Sequence, residues 1–256
     1  MLALDQILRL PLLPLLALQA ITVRRRALIL PEPRGPRQGQ MAQERLQQGE
    51  LEQERQLRVL IAGDSSAAGV GVSAQSQGLS GQLAAQLSAQ FEVHWRLEAT
   101  TGHQTRDTIT RLQALPKQQF DVIILALGVN DVTHGTTRTR FYRQQSQLMQ
   151  LLLDRFEPRL ILACGVPQMQ HFPALPQPLA WVLGRQSARL DNVLAALASE
   201  HPAVAHMPFQ LPQDPALAAA DGYHPSAQAY RLWALGLGEK ILDHLAASQS
   251  EQAPPP

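Results

Sequence analysis

Five short strand-like runs alternate with helix-forming segments between residues 57 and 245, and this alternation limits the possible folds more than any other feature of the chain. "LRVLIA" (57–62), "DVIILALG" (121–128) and "RLILAC" (159–164) each carry a short apolar run, Val59–Ala62, Val122–Leu127 and Leu160–Cys164, as strands buried on both faces would. "EVHWRLEA" alternates, with Val93, Trp95 and Leu97 on one face, and "AVAHM" is a fifth, shorter strand. Between them, "GLSGQLAAQLSAQF" carries Leu79, Leu83 and Leu87 at helical spacing, and "TRDTITRLQAL" reads as a helix capped by Thr105. Residues 138–154, 179–199 and about 226–245 complete the helices. Strands and helices in alternation require crossover connections, which predicts an α/β fold with a parallel sheet and helices on both faces. In such sheets reactive groups collect beyond the carboxyl ends of the strands.

The flanks differ from this domain. Residues 1–30 form an apolar N-terminal segment, with Leu10 to Val23 broken only by Pro11, Pro14 and Gln19 and followed by Arg24, Arg25 and Arg26. A spanning helix needs roughly 20 apolar residues, so the segment is short for that role. Its positive cluster follows the apolar part, the reverse of a secretory signal. An interfacial anchor through residues 7–26 fits best, with the arginines at lipid phosphates. If it spans, the arginines favour a cytoplasmic domain; the other alternative is a helix lying on the protein's own surface. Residues 31–56 are expected to be a polar linker, whose second half reads as a solvated helix or as disorder. Residues 57–247 form the domain, and 248–256 are expected to be a frayed tail. Twenty-two basic and 21 acidic residues leave a net charge of +1, so no global field favours nucleic acid. The single cysteine, Cys164, excludes an internal disulfide and reads as a buried core thiol.

Polar clusters occur where the strands end. Gly63-Asp64-Ser65-Ser66 follows the first, "TTGHQT" with Gly102 the second, and Gly128-Val129-Asn130-Asp131 the third; Asp221-Gly222-Tyr223-His224-Pro225 precedes the last helix. Each alone is ordinary turn chemistry. Together they make a chemical set. A serine hydroxyl is a weak nucleophile until a base takes its proton, and a histidine serves at neutral pH. That imidazole needs a carboxylate to hold one tautomer, and Asp221 lies three residues before His224. The oxyanion formed on attack needs donors, for which the Ser65 amide, the Gly102 amide and the Asn130 side chain are candidates.

The ordered blocks "GDSS" (63–66), Gly102 in "TTGHQT", "GVND" (128–131) and "DGYH" (221–224) resemble the SGNH, or GDSL-type, hydrolase superfamily over about residues 57–245. The resemblance implies a three-layer α/β/α sandwich with a flavodoxin-like sheet, and hydrolysis of esters or thioesters through an acyl-serine. It implies Ser65 as nucleophile, His224 as base and Asp221 as its orienting partner. Ser65, Gly102 and Asn130 would form the oxyanion hole, with no metal or cofactor. Serine replaces leucine at the fourth place of the first block, which leaves subfamily and substrate open. Asp64 and Asp131 are expected to brace loops, and Ser66 to be a bystander.

Two readings of another class compete: a dinucleotide-binding domain and an inactive binding protein with a hydrolase fold. Gly69, Gly71 and Ala74 match a loose glycine fingerprint, with Glu92 beyond them, but the pattern starts six residues past the strand's end. His103 and His134 adjoin the expected hole and are candidate substrate contacts. The apolar, proline-rich stretch 165–184 is a candidate acyl pocket through Met169, Phe172, Leu175 and Trp181. With the N-terminal segment it favours a lipophilic acyl ester over an acetylated carbohydrate. Neither oligomeric state nor a preference for ester over thioester is legible.

Overall fold

Each strand-like run of the sequence becomes a strand of one sheet. The structure is a computed structural model describing residues 4–42, 56–210, 212 and 214–252. An unforeseen strand, β1 (Gln38–Met41), precedes β2 (Gln56–Gly63), β3 (Glu92–Ala99), β4 (Val122–Ala126), β5 (Leu160–Cys164) and β6 (Val204–Met207). Their spatial order is β1-β3-β2-β4-β5-β6, with β1 antiparallel to β3 and every other pairing parallel. The five parallel strands therefore follow the flavodoxin-like 2-1-3-4-5 order, with its switch point between β2 and β4.

Alternation along the strands divides the core into two layers. Val59, Ile61, Val93 and Leu97 face α2 (Leu79–Leu87) and α7 (Ala227–Gln252), where Leu79, Leu83, Tyr230 and Trp233 pack. Leu60, Ala62, Ile123 and Leu125 face the other way, with α3 (Thr105–Gln113), α5 (Arg138–Phe156) and α6 (Leu179–Ala198). The short α4 (Val129–Thr133) lies at the carboxyl edge, after β4. Thr137 caps α5 by accepting from the Arg140 amide at 3.3 Å. The helix buries Phe141, Gln145, Leu148, Met149, Leu152 and Phe156 on one face and ends at Glu157, in a left-handed conformation. Cys164 sits in the core, where burial pushes its thiol up to about 12.

Register levels the strand ends. Gly63 pairs with Ala99 on one side and Ala126 on the other, so the segments after β2, β3 and β4 leave the sheet in a row. The turn after β2 also demands glycine. A Cβ at Gly63 would lie 2.1 Å from the Ala126 carbonyl oxygen, which accepts from the Asp64 amide at 3.1 Å.

Part of the expected linker forms regular structure. Within the expected linker, Gln38–Met41 pairs with Val93–Arg96, and the Arg34 amide donates to the Ser73 carbonyl. "QGQM" has no apolar alternation, because an exposed edge strand is held by its backbone bonds to β3. Residues 43–55 lie outside the described residues, as do 253–256 of the expected tail; α7 itself continues to Gln252.

The helix α1 (Leu4–Arg26) runs through Pro11 and Pro14. Leu12, Leu16 and Val23 pack with Leu179 and Val182 of α6, and the Gln19 side chain accepts from the Leu179 amide at 3.1 Å. The opposite stripe stays open: Leu10, Leu13, Leu18 and Ile21 are 50–72% exposed, beside Arg24–Arg26. Among the described residues no helix is long and apolar enough to cross a membrane.

Fully buried Tyr230 ties α7 to the segment after the β2 turn, its hydroxyl donating to the Val70 carbonyl at 2.8 Å. Tyr230→Phe leaves that buried carbonyl unpaired, and urea denaturation should show a loss of about 1–2 kcal/mol.

Candidate active site

The three levelled strand ends and the segment before α7 meet at one place. Asp64 opens the turn after β2, and its Oδ1 accepts from the Ser66 amide at 3.0 Å and the Ser66 hydroxyl at 2.7 Å. Ser66, expected to be a bystander, thus holds the carboxylate beside Ser65. From the last loop, His224 Nε2 lies 2.8 Å from Ser65 Oγ. His224 Nδ1 lies 2.5 Å from Asp221 Oδ2. The other Asp221 oxygen accepts from the Tyr223 and His224 amides, both at 3.0 Å, so one carboxylate shapes the loop and orients the ring. Burial pushes the Asp221 carboxyl up, but bonds from the ring and the two amides outweigh it and leave it below the ordinary aspartate value.

The loop is pinned from outside as well. The Ala219 amide donates to the His224 carbonyl at 2.7 Å, and the Ser226 amide to Leu217 at 2.9 Å. Gly71 lies against the next residue: a Cβ there would meet the Pro225 carbonyl oxygen at 2.2 Å, and its φ is +113°. Gly69 and Gly71 of the loose glycine fingerprint admit close packing instead, against Pro33 and the Pro225 carbonyl. Gly71 seats the histidine loop, which corrects the dinucleotide fingerprint. The Tyr223 ring stacks edge-on against both His224 and Phe172.

Gly102, at φ +84°, sits at an exposed loop tip, with open space where a Cβ would point. Asn130, in the first turn of α4, directs its side-chain amide at the His103 carbonyl (3.1 Å) and Asp64 Oδ2 (3.4 Å). Among the described residues, neither the Ser65 nor the Gly102 amide donates to a protein group. His134 Nδ1 lies 2.7 Å from the Asn130 carbonyl, beside α4. His103 is half-buried, and desolvation lowers its pKa.

Several braces were not singled out as site residues from the sequence. Gln104 Nε2 donates to the Asn130 carbonyl at 3.4 Å. Thr105, expected to cap α3, instead donates both its amide and its hydroxyl to Asp131 Oδ2. Gln104 occupies the cap, its amide bonding Asp107. Gln145 Nε2 donates to the Thr105 hydroxyl at 2.9 Å, so Asp131 holds α3, α4 and α5 together. A polar residue among apolar positions of α5 is the one signal that marked Gln145.

A cleft of about 400 Å³ opens over Ser65 and His224. Val129, Pro167, Phe172, Phe209, Leu217 and Tyr223 are among its walls. Of the four expected pocket residues only Phe172 reaches it. Met169 points into the core from between the lining residues Gln168 and His171, Leu175 packs between the core and α6, and Trp181 packs toward α1.

A model of the GDSL-like Lipase/Acylhydrolase family matches residues 61–232, more than half of the chain. No curated protein matches it. Among solved structures, a psychrotrophic esterase EstA from Pseudoalteromonas sp. is similar at 18% identity and TM-score 0.56, over 75% of this chain and 98% of that one. An extracellular lipase from Streptomyces rimosus is similar at 17% identity and TM-score 0.53, over 71% and 99%. A carbohydrate esterase family 2 enzyme from Corynascus thermopiles (Myceliophthora fergusii) aligns at 13% identity and TM-score 0.57, over 74% and 67%. At these identities the likenesses show the fold. Fold and family match together define a carboxylic ester hydrolase. The chain belongs to the GDSL-like lipase/acylhydrolase family.

Burial pushes the Asp64 carboxyl up to about 6, against the opposing pull of the Ser66 hydroxyl and amide. The folded state therefore keeps a proton between about pH 4 and pH 6 that the unfolded chain has released, and this group makes folding less favourable as pH rises through that window. Urea denaturation across this range should show wild type losing on the order of 2 kcal/mol relative to Asp64→Asn, with no further change above about pH 6.5. A difference independent of pH would refute the assignment.

Proposed function

We propose that this chain is a serine esterase in which Ser65, His224 and Asp221 carry the reaction. The observation behind this reading is the unbroken hydrogen-bonded sequence from Asp221 through His224 to Ser65, ending at an apolar cleft. Ser65 Oγ attacks the ester carbonyl carbon while His224 Nε2 takes the hydroxyl proton, and Asp221 stabilises the resulting imidazolium. The oxyanion accepts hydrogen bonds from the Ser65 and Gly102 amides and from Asn130 Nδ2, whose long contact with Asp64 is the weaker of its two. Collapse of the tetrahedral intermediate breaks the bond to the alcohol oxygen, and the alcohol leaves with the proton from His224. Water then attacks the acyl-serine with His224 again as base, releasing the acid and restoring Ser65.

A fluorophosphonate probe should label the wild type and not Ser65→Ala; labelling of the variant would refute the nucleophile. The Pseudoalteromonas esterase is described as inhibited by monoethylphosphonate, which supports this choice of probe. Ser65→Ala and His224→Ala should each lower kcat by at least about 10³-fold.

The substrate class that the cleft favours is a lipophilic acyl ester, because aromatic, proline and aliphatic side chains form much of its wall. Each buried methylene is worth about 0.8 kcal/mol. Values of kcat/KM on p-nitrophenyl esters should therefore rise at least roughly tenfold from acetate to octanoate. A preference for acetate would favour an acetyl esterase acting on carbohydrate.

We further propose that α1 lies on an anionic membrane surface, its open leucine stripe in the interface and Arg24–Arg26 at the phosphates. Full-length protein should sediment with phosphatidylglycerol-containing vesicles more than with phosphatidylcholine vesicles, and the paired substitution Leu13→Ser/Leu18→Ser should weaken this. Equal recovery of both proteins would refute the attachment.

A further inference from the structure

Gly102 has little local support for the position that the oxyanion reading requires. It and Thr101 are exposed, and a Cβ at Gly102 would meet nothing within 4 Å. Loops with so few contacts open locally at little cost. The feet of the loop are held from within the domain, by the Thr100 amide on the Gly63 carbonyl, Arg111 on the Thr100 hydroxyl and Asn130 on the His103 carbonyl. Thr101 at the tip is instead held from residues 32–37, outside the part of the chain that the family model matches. Glu32 Oε1 accepts from both the Thr101 amide and the Thr101 hydroxyl, each at 2.9 Å. Its other oxygen is 2.8 Å from Arg37, whose guanidinium also donates to the Ala99 carbonyl at the end of β3. The carboxylate is thereby tied to the strand end and to the residue before Gly102.

The same arm reaches the loop that follows Ser65. Pro33 is buried over Gly69, with its Cγ 2.9 Å from where a Cβ would stand. The Arg34 amide donates to Ser73 at 3.2 Å, and the Gln75 amide donates back to Arg34 at 2.8 Å. Gln75 in turn donates through its buried side chain to the Ala68 carbonyl at 3.0 Å. One short segment therefore spans the two loops that carry the Ser65 and Gly102 amides.

We propose that Glu32 is a positioning residue for the ester hydrolysis, holding the Thr101–Gly102 peptide so that the Gly102 amide meets the oxyanion together with the Ser65 amide. This rests on the oxyanion reading given above. Burial raises the Glu32 carboxyl and the Thr101 bonds and Arg37 lower it, with a net fall below the ordinary glutamate value, so the group is ionised and a strong acceptor at neutral pH. A donor that drifts from the oxyanion weakens transition-state binding while leaving ground-state binding in the cleft almost unchanged.

The test uses full-length Glu32→Ala, Glu32→Gln and Asn130→Ala on p-nitrophenyl butyrate, with thermal melting of each. Complete removal of one oxyanion donor costs about 10²–10³ in kcat, so a loosened one should cost roughly tenfold. Glu32→Ala should show that loss in kcat with KM within about twofold and little change in Tm. Glu32→Gln, which keeps an acceptor oxygen but loses the charge facing Arg37, should fall between Glu32→Ala and wild type. Wild-type kcat in Glu32→Ala, or a loss that tracks the unfolded fraction, would overturn the positioning role. Equal impairment of the two Glu32 variants would overturn the acceptor role. If Asn130→Ala is impaired and Glu32→Ala is not, only the arm is at fault. If Asn130→Ala also turns over at full rate, the oxyanion hole is misassigned and the inference falls with it.

Discussion

The backbones of Gly63 and Ala126 approach so closely that no side chain fits between them, and the rest of the site is arranged around this contact. It occurs at the switch point of the sheet, where β2 is flanked by β3 on one side and β4 on the other. The chain after β2 must turn immediately, with the Asp64 amide bonded to Ala126, and Ser65 is lifted onto the carboxyl edge. The loops after β3 and β4 begin level with it because the strands share a register. A slip of one residue in either pairing would break that alignment and turn the slipped strand's side chains to the other face.

The last loop is built separately and brought to the same edge by α7. Asp221 closes the loop with two backbone bonds and aligns the imidazole with its other oxygen. Contacts made elsewhere place it: Gly71 admits the Pro225 carbonyl, and Tyr230 ties α7 to Val70. The loop after Ser65 therefore seats the histidine as well as the serine. Glu32 and Pro33 extend the arrangement, linking that loop to Gly102 from a segment whose composition suggested only a linker.

The N-terminal helix shows how one apolar stretch can serve two surfaces. Leu12, Leu16 and Val23 pack on α6, whereas the stripe through Leu10, Leu13, Leu18 and Ile21 faces outward. The outward stripe is the face on which the proposed membrane attachment rests.

The sequence by itself determined the order of the five parallel strands and the helices between them, and the family. Buried strands leave continuous apolar runs, amphipathic helices leave a 3.6-residue period, and the four polar blocks keep their order along the chain. It also singled out Ser65, Gly102, Asn130, Asp221 and His224, since unusual polar residues at strand ends stand out against an apolar background. Only the tertiary structure decided the distances among them, the role of Gly71, the burial of Met169 away from the cleft, and the arm through Glu32. These depend on contacts between residues far apart in the chain, which leave no local periodicity. A glutamate in a proline-rich stretch looks like any solvated charge until Thr101, 69 residues downstream, is brought against it.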